Sequence, residues 1–256
     1  MSLSGLLVLS LAVGASQAPS PRVIHVIVAL ADNATQGIVP VPARLGNGDD
    51  PANNLYWGAR YGVKTFLRRG PDWELVATLP GPAPEVLERV VFRHRRHAAF
   101  LVTDAYRGAA IRRALGDFLD AAAGRRVERL AAVPREVPEL GVAGGAELIG
   151  WVGHDALMDF ELAAPPANGD GRERPGVVLA CASKEYFAAP LRAAGARPLL
   201  WTTGLLAPEA YVLAAVLEGF LLGEEGEPIR ERAAVAYDRY QHCGLAPARR
   251  LFAVGF

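Results

Sequence analysis

The chain has 256 residues, 51% of them hydrophobic, and its 27 Lys and Arg are balanced by 27 Asp and Glu. That is enough apolar material for one well-buried core, and one domain is the expected count. A formal net charge of zero leaves no electrostatic footprint for nucleic acid or for an anionic membrane surface.

The first residues read as a secretory signal peptide. Leu6, Leu7, Val8, Leu9, Leu11, Ala12 and Val13 form a short apolar core, and small residues follow. The expected signal covers residues 1–15, with cleavage after Ala15 or Ala18. The segment before the apolar core has no Lys or Arg. The run is shorter than the roughly 20 apolar residues a spanning helix needs. No later run is both long and charge-free enough, so no integral span is expected after signal removal. The mature chain, with its single domain over 22–256, is then expected outside the cytoplasm of a bacterial cell, in the periplasm or the medium.

In chain order, Val23 to Leu30 is an unbroken β-branched and apolar run, which predicts a strand buried on both faces. A long Gly/Pro/Asn-rich loop follows from Gly37 to Asn54. Asp50-Pro51 offers a helix start, with Leu55, Tyr56, Ala59 and Val63 on the helix. Further strands are expected over 73–79, 90–92 and 98–103, the last two flanking the basic stretch Arg93 to His97. Asp104 is positioned to cap a helix whose apolar stripe is Ile111, Ala114, Leu115, Phe118, Leu119 and Ala122, closed by Gly124. Strands over 147–153, 176–181 and 198–203 alternate with helices near 186–194, after Pro208 and after Pro228. Alternation of this kind predicts a three-layer α/β sandwich with a mostly parallel central sheet. The first strand and the last three should be its centre.

In such a sheet, ligands sit at the carboxyl ends of the strands. His154 follows one predicted strand and Cys181 follows the next, 27 positions later. A thiol beside an imidazole can be activated as a nucleophile. Backbone N–H groups at Asp155 and Cys181 would hold the oxyanion of an acyl-transfer intermediate. The alternative for Cys181 is a structural role, as a buried small residue or as half of a disulfide with Cys243, the second of two cysteines. Asp32, at the end of the first strand, would open onto the same edge. With Asp159 or Asp155 it would make an acidic pocket for a basic substrate residue; otherwise Asp32 caps a turn. His94 and His97 stand three apart without an acidic or thiol ligand nearby in sequence, and read as a solvated basic turn rather than a metal site. His154 with Asp155 and Asp159 is a weaker metal reading. No cofactor or metal is expected.

Trp151-Val152-Gly153-His154 and Val177-Val178-Leu179-Ala180-Cys181-Ala182-Ser183 resemble the histidine and cysteine segments of the caspase-like cysteine peptidases, a group that includes gingipains, clostripains and CHAT domains. The order of elements after the cysteine is similar as well, and the resemblance covers about residues 145–240. Asp155 stands where that family usually has Gly. The resemblance implies a caspase-like fold and peptide-bond hydrolysis of a polypeptide substrate by a Cys181/His154 dyad. The competing expectation is an exported module on the same scaffold, without catalysis, that binds a partner protein.

Overall fold

The computed structural model describes residues 20–131 and 137–256, so the expected signal segment lies outside the described residues. The central strand is β1 (Arg22–Ala29), whose side chains from Val23 onward are all buried. It pairs in parallel with β4 (Ala99–Tyr106) on one side and β7 (Leu148–Val152) on the other. Beyond β7, the strands β8 (Arg174–Leu179) and β9 (Ala196–Thr202) continue in parallel. These strands carry the mainly apolar runs of the sequence, and burial on both faces is what such runs require.

The outer strands run the other way. β2 (Trp73–Leu79) and β3 (Val86–His94) form an antiparallel meander into β4, and a two-residue β10 (Phe252–Ala253) closes the far edge against β9. The sheet therefore has eight strands in the order β10-β9-β8-β7-β1-β4-β3-β2, and it is mixed rather than mostly parallel. The cause lies in the connections. Short turns join β2 to β3 and β3 to β4, whereas a parallel return needs a crossover of a dozen residues or more.

Helices cover both faces. On one face lie α1 (Val63–Arg69), α4 (Ala210–Leu221), α5 (Glu227–Gln241) and α6 (Leu245–Leu251), sealing a core that includes Trp57, Leu101, Leu200 and Leu213. On the other lie α2 (Ile111–Ala122) and α3 (Ser183–Ala194), with a hairpin of β5 (Val127–Leu130) and β6 (Leu140–Ala143). Phe118, Trp151 and Phe187 meet there. Among the described residues no helix is long and apolar enough to cross a membrane.

Two predicted elements differ. Residues 51–62 form successive turns instead of a helix. The Asn54 amide donates to the Ala31 and Asn47 carbonyls and accepts from the backbone N–H groups of Ala31 and Tyr56, which ties this segment to the end of β1. Asp104 does not cap a helix. It lies inside β4, wholly buried, and receives two hydrogen bonds from Arg89 and one from His25. Burial by itself would raise its carboxyl, but those bonds outweigh burial and hold it down to about 2. Glu128 of the hairpin receives the other side of the same guanidinium, so one buried arginine joins β3, β4 and β5.

Candidate active site

The ladder registers place the two candidate residues at one edge. Val28 pairs with Val152, and Val152 pairs with Leu179, so β1, β7 and β8 end level. His154 and Cys181 each stand two residues beyond the last pair, on adjacent strands.

On the cysteine side the chain turns sharply from strand to helix. Ala182 sits at φ 47°, in the left-handed region, where a residue with a Cβ costs on the order of 1 kcal/mol. Ser183 and Thr202 hold that turn. The Ser183 hydroxyl donates to the Val178 carbonyl at 3.0 Å, and the Thr202 hydroxyl donates to the Ala180 carbonyl. Each residue's backbone N–H in turn donates to the other's hydroxyl oxygen, at 3.2 and 3.0 Å. Both side chains are fully buried. The Ala182 N–H donates to the Gly204 carbonyl at 2.9 Å. Neither Ser183 nor Thr202 stood out as a site residue in the sequence; a Ser two positions after a strand-end Cys was the available signal.

The Cys181 thiol is half-buried and free. Its sulfur lies against Leu206, accepting from the N–H at 3.4 Å and facing the carbonyl at 3.6 Å. Tyr56 and Tyr237 stand close enough to interact electrostatically with it. Burial raises both phenols, and the sulfur raises them further. Cys243 is exposed and also free, so the disulfide with Cys181 is not formed.

On the histidine side, Gly153 carries the chain out of β7 at φ 148°, and a Cβ there would stand 2.8 Å from the Ala29 carbonyl oxygen. His154 is buried, and its Nε2 lies 2.8 Å from Asp159 Oδ2. The same Asp159 oxygen accepts from the Gly37 N–H at 3.2 Å, which ties the long loop after β1 to this edge. Asp159 is thus engaged with His154, an orienting role that its spacing alone did not reveal. Asp32 accepts from the Ala34 N–H at 2.9 Å and caps a turn.

Asp155 lies wholly beneath the surface. One carboxyl oxygen accepts from the Leu157 N–H at 3.0 Å and starts a single 3₁₀ turn, Ala156–Met158. The other oxygen has no partner among the described residues. Burial pushes this carboxyl up to about 7, and the charges of Asp159 and Glu185 add to the effect. Among the described residues, no backbone carbonyl accepts from the N–H of Asp155 or of Cys181.

His94 departs from the solvated-turn expectation. It is buried, edge-on to Trp73 at 4.7 Å between ring centroids, and bonded through Nε2 to Glu218 of α4 at 3.1 Å. His94, His97 and Glu218 bring ligand atoms within 4.8 Å of one another. Glu218 lies 124 positions away, so the sequence offered no sign of it. The arrangement is a closed hydrogen-bond knot. His94 Nδ1 accepts from the N–H groups of Arg96 and His97, which leaves the ring proton on Nε2 and points it at Glu218. A metal bound through Nε2 would need the opposite tautomer.

Comparison of the chain with family models, with curated proteins and with solved structures finds no match.

Proposed function

We propose that the chain is an exported cysteine peptidase of caspase-like type, with Cys181 as nucleophile and His154 as the proton-transferring group. One observation carries this reading: the register sets a free thiol and an Asp159-oriented imidazole at the same level on neighbouring parallel strand ends. That is the address at which an α/β sheet presents ligands. A nucleophile beside a base that is itself oriented by a third group is the general arrangement for acyl transfer.

The reaction would run in two halves. The Cys181 thiolate attacks the scissile carbonyl carbon, and the N–H groups of Asp155 and Cys181 take the resulting oxyanion. The C–N bond then breaks as the His154 imidazolium gives its proton to the leaving amine. A thioester remains. Water, losing a proton to His154, attacks that thioester, and the new carboxylic acid leaves as the thiol is restored. Substrate entry has to displace the thiol from Leu206, its resting partner.

That same contact favours the second reading, an exported recognition module on this scaffold that lacks catalysis, since a thiol held on Leu206 is not held by an imidazole. One experiment separates the two. The purified mature protein is labelled with an iodoacetamide probe and with an acyloxymethyl-ketone peptide carrying Arg, then again as Cys181→Ala and His154→Ala. The peptidase reading expects labelling at Cys181, lost in C181A and slowed in H154A. An unreactive Cys181, or equal rates without His154, leaves only the module. Export is tested separately by N-terminal sequencing: an intact Met1 on a cytoplasmic product defeats it.

A further inference from the structure

A groove of about 960 Å³ runs between α1, α4, α5 and the start of β2. Its lining shares no residue with the edge that carries His154 and Cys181. The floor at one end is aromatic. Tyr211 and Tyr240 stack with centroids 4.4 Å apart and planes 10° from parallel, and both Tyr61 and Phe66 meet them edge-on. Arg60 lies over the Tyr61 ring at 5.2 Å and Arg239 over the Tyr240 ring at 5.8 Å, so two guanidiniums flank one pair of touching rings. Val235 stands 49% exposed on the rim.

The charges around the groove do not cancel. Its four acidic residues are already held: Asp72 by Arg96, Glu218 by His94 and Arg96, Glu224 by Arg232, and Glu231 by Arg249. Arg60, Arg69 and Arg239 line it as well, and among the described residues none of them forms an ion pair. The field left over is positive, in a chain whose formal net charge is zero.

The shape selects the class of occupant. Along α5 the lining extends from Pro228 to Tyr240, which is roughly 18 Å of helix at 1.5 Å per residue. A trough of that length between two helices fits a polypeptide segment better than a compact small molecule. We propose that this groove docks an acidic polypeptide segment whose aromatic or aliphatic anchor sits on the tyrosines while its carboxylates meet Arg60, Arg69 and Arg239. The site works without reference to Cys181. In a peptidase it would hold substrate away from the cut bond, and in a module it would be the recognition surface itself.

The test uses a fluorescein-labelled synthetic peptide that alternates glutamate with leucine and phenylalanine. Its lysine-for-glutamate counterpart serves as control. Both are titrated by fluorescence anisotropy against the mature protein and against Arg60→Glu/Arg239→Glu, a variant at two exposed side chains whose fold is checked by thermal melting. The acidic peptide should bind, weaken at least about tenfold in the double variant, which is roughly 1.4 kcal/mol, and lose affinity with added salt. Val235→Asp should weaken it as well, while Cys181 labelling stays unchanged. The proposal falls if the lysine peptide binds as tightly, if the double variant binds the acidic peptide equally well, or if neither peptide binds. It also falls if sedimentation shows a concentration-dependent dimer that the double variant abolishes, since the occupant is then a second copy of the chain.

Discussion

Asp155 offers the sharpest test of the strand-end geometry. One of its oxygens caps the 3₁₀ turn, and the other is buried without a partner. Its carboxyl is raised from 3.8 to about 7, chiefly by burial. A carboxyl with a raised folded value keeps its proton longer in the folded chain than in the unfolded one. Its contribution to stability is therefore whole below the unfolded value of 3.8, declines as pH rises, and is fully lost above about 7. At about 1.4 kcal/mol per tenfold change the ceiling is roughly 4 kcal/mol. Asp155→Asn keeps the oxygen that accepts from Leu157 and removes the titration. It also places an unsatisfied N–H₂ where the orphan oxygen was, at a pH-independent cost of about 1–3 kcal/mol. Urea unfolding of both proteins between pH 5 and pH 8 reads the difference. Between pH 5 and pH 8 the variant should gain on the wild type by roughly 2 kcal/mol. Parallel stability curves over that range would refute the claim that this carboxyl is neutral in the folded protein at pH 5.

Other expectations follow from the same geometry. Arg89→Met strands the Asp104 carboxylate in the core and should cost about 3–5 kcal/mol in urea unfolding, with Arg89→Met/Asp104→Leu recovering much of it; a loss under 1 kcal/mol would show that the knot is not buried as described. Gly153→Ala drives a Cβ against the Ala29 carbonyl and should cost roughly 1–3 kcal/mol, read as a fall in Tm of about 2–4 °C per kcal/mol; an unchanged Tm counts against the φ of 148°. Ser183→Ala leaves the Thr202 N–H without its acceptor and should cost about 1–3 kcal/mol; an unchanged stability would count against the staple. Asp159→Ala frees the imidazole to turn and should slow acyloxymethyl-ketone labelling of Cys181 at least about tenfold, while iodoacetamide labelling of the denatured protein stays the same; equal native rates would leave Asp159 with only its tie to Gly37.

The parts of the fold that were legible in the sequence are those set by local patterning. Val177–Ala180 is apolar in every position and Val23–Leu30 in all but His25, so their burial on both faces follows without knowledge of their neighbours. The end of such a strand is also local information, and that placed His154 and Cys181 on one edge. What escaped was set by partners remote in sequence. Asp104 looks like a helix cap because Ile111 begins a helix shortly after it, yet Arg89, 15 positions earlier on an antiparallel neighbour, makes it a strand residue with a buried charge. Residues 51–62 have a plausible cap and apolar spacing, but Asn54 recruits the backbone at Ala31 and holds the segment in turns. Asp159 was legible as an acid near the site. Its bond to His154 depended on how a single 3₁₀ turn folds back.

The two sides of the edge are held with different stiffness, and that difference bears on how the candidate dyad would assemble. Around Cys181 the backbone is fixed by buried bonds from Ser183 and Thr202 to the carbonyls of β8 and its exit, so the sulfur can move only by rotation of its own side chain. Around His154 the imidazole is held by Asp159, which in turn is tied to a single N–H of the long loop at Gly37. The segment after β9, which flanks β8 on the side away from β7, carries Leu206, and Leu206 holds the thiol by two weak sulfur contacts at 3.4 and 3.6 Å. Of these three supports the buried hydroxyl staple is the costliest to break and the sulfur contacts are the cheapest. A ligand entering at the strand ends would therefore displace Leu206 first, leaving the turn at Ala182 and the His154–Asp159 pair in place. The alignment of nucleophile and base would then be a side-chain event on a prebuilt backbone.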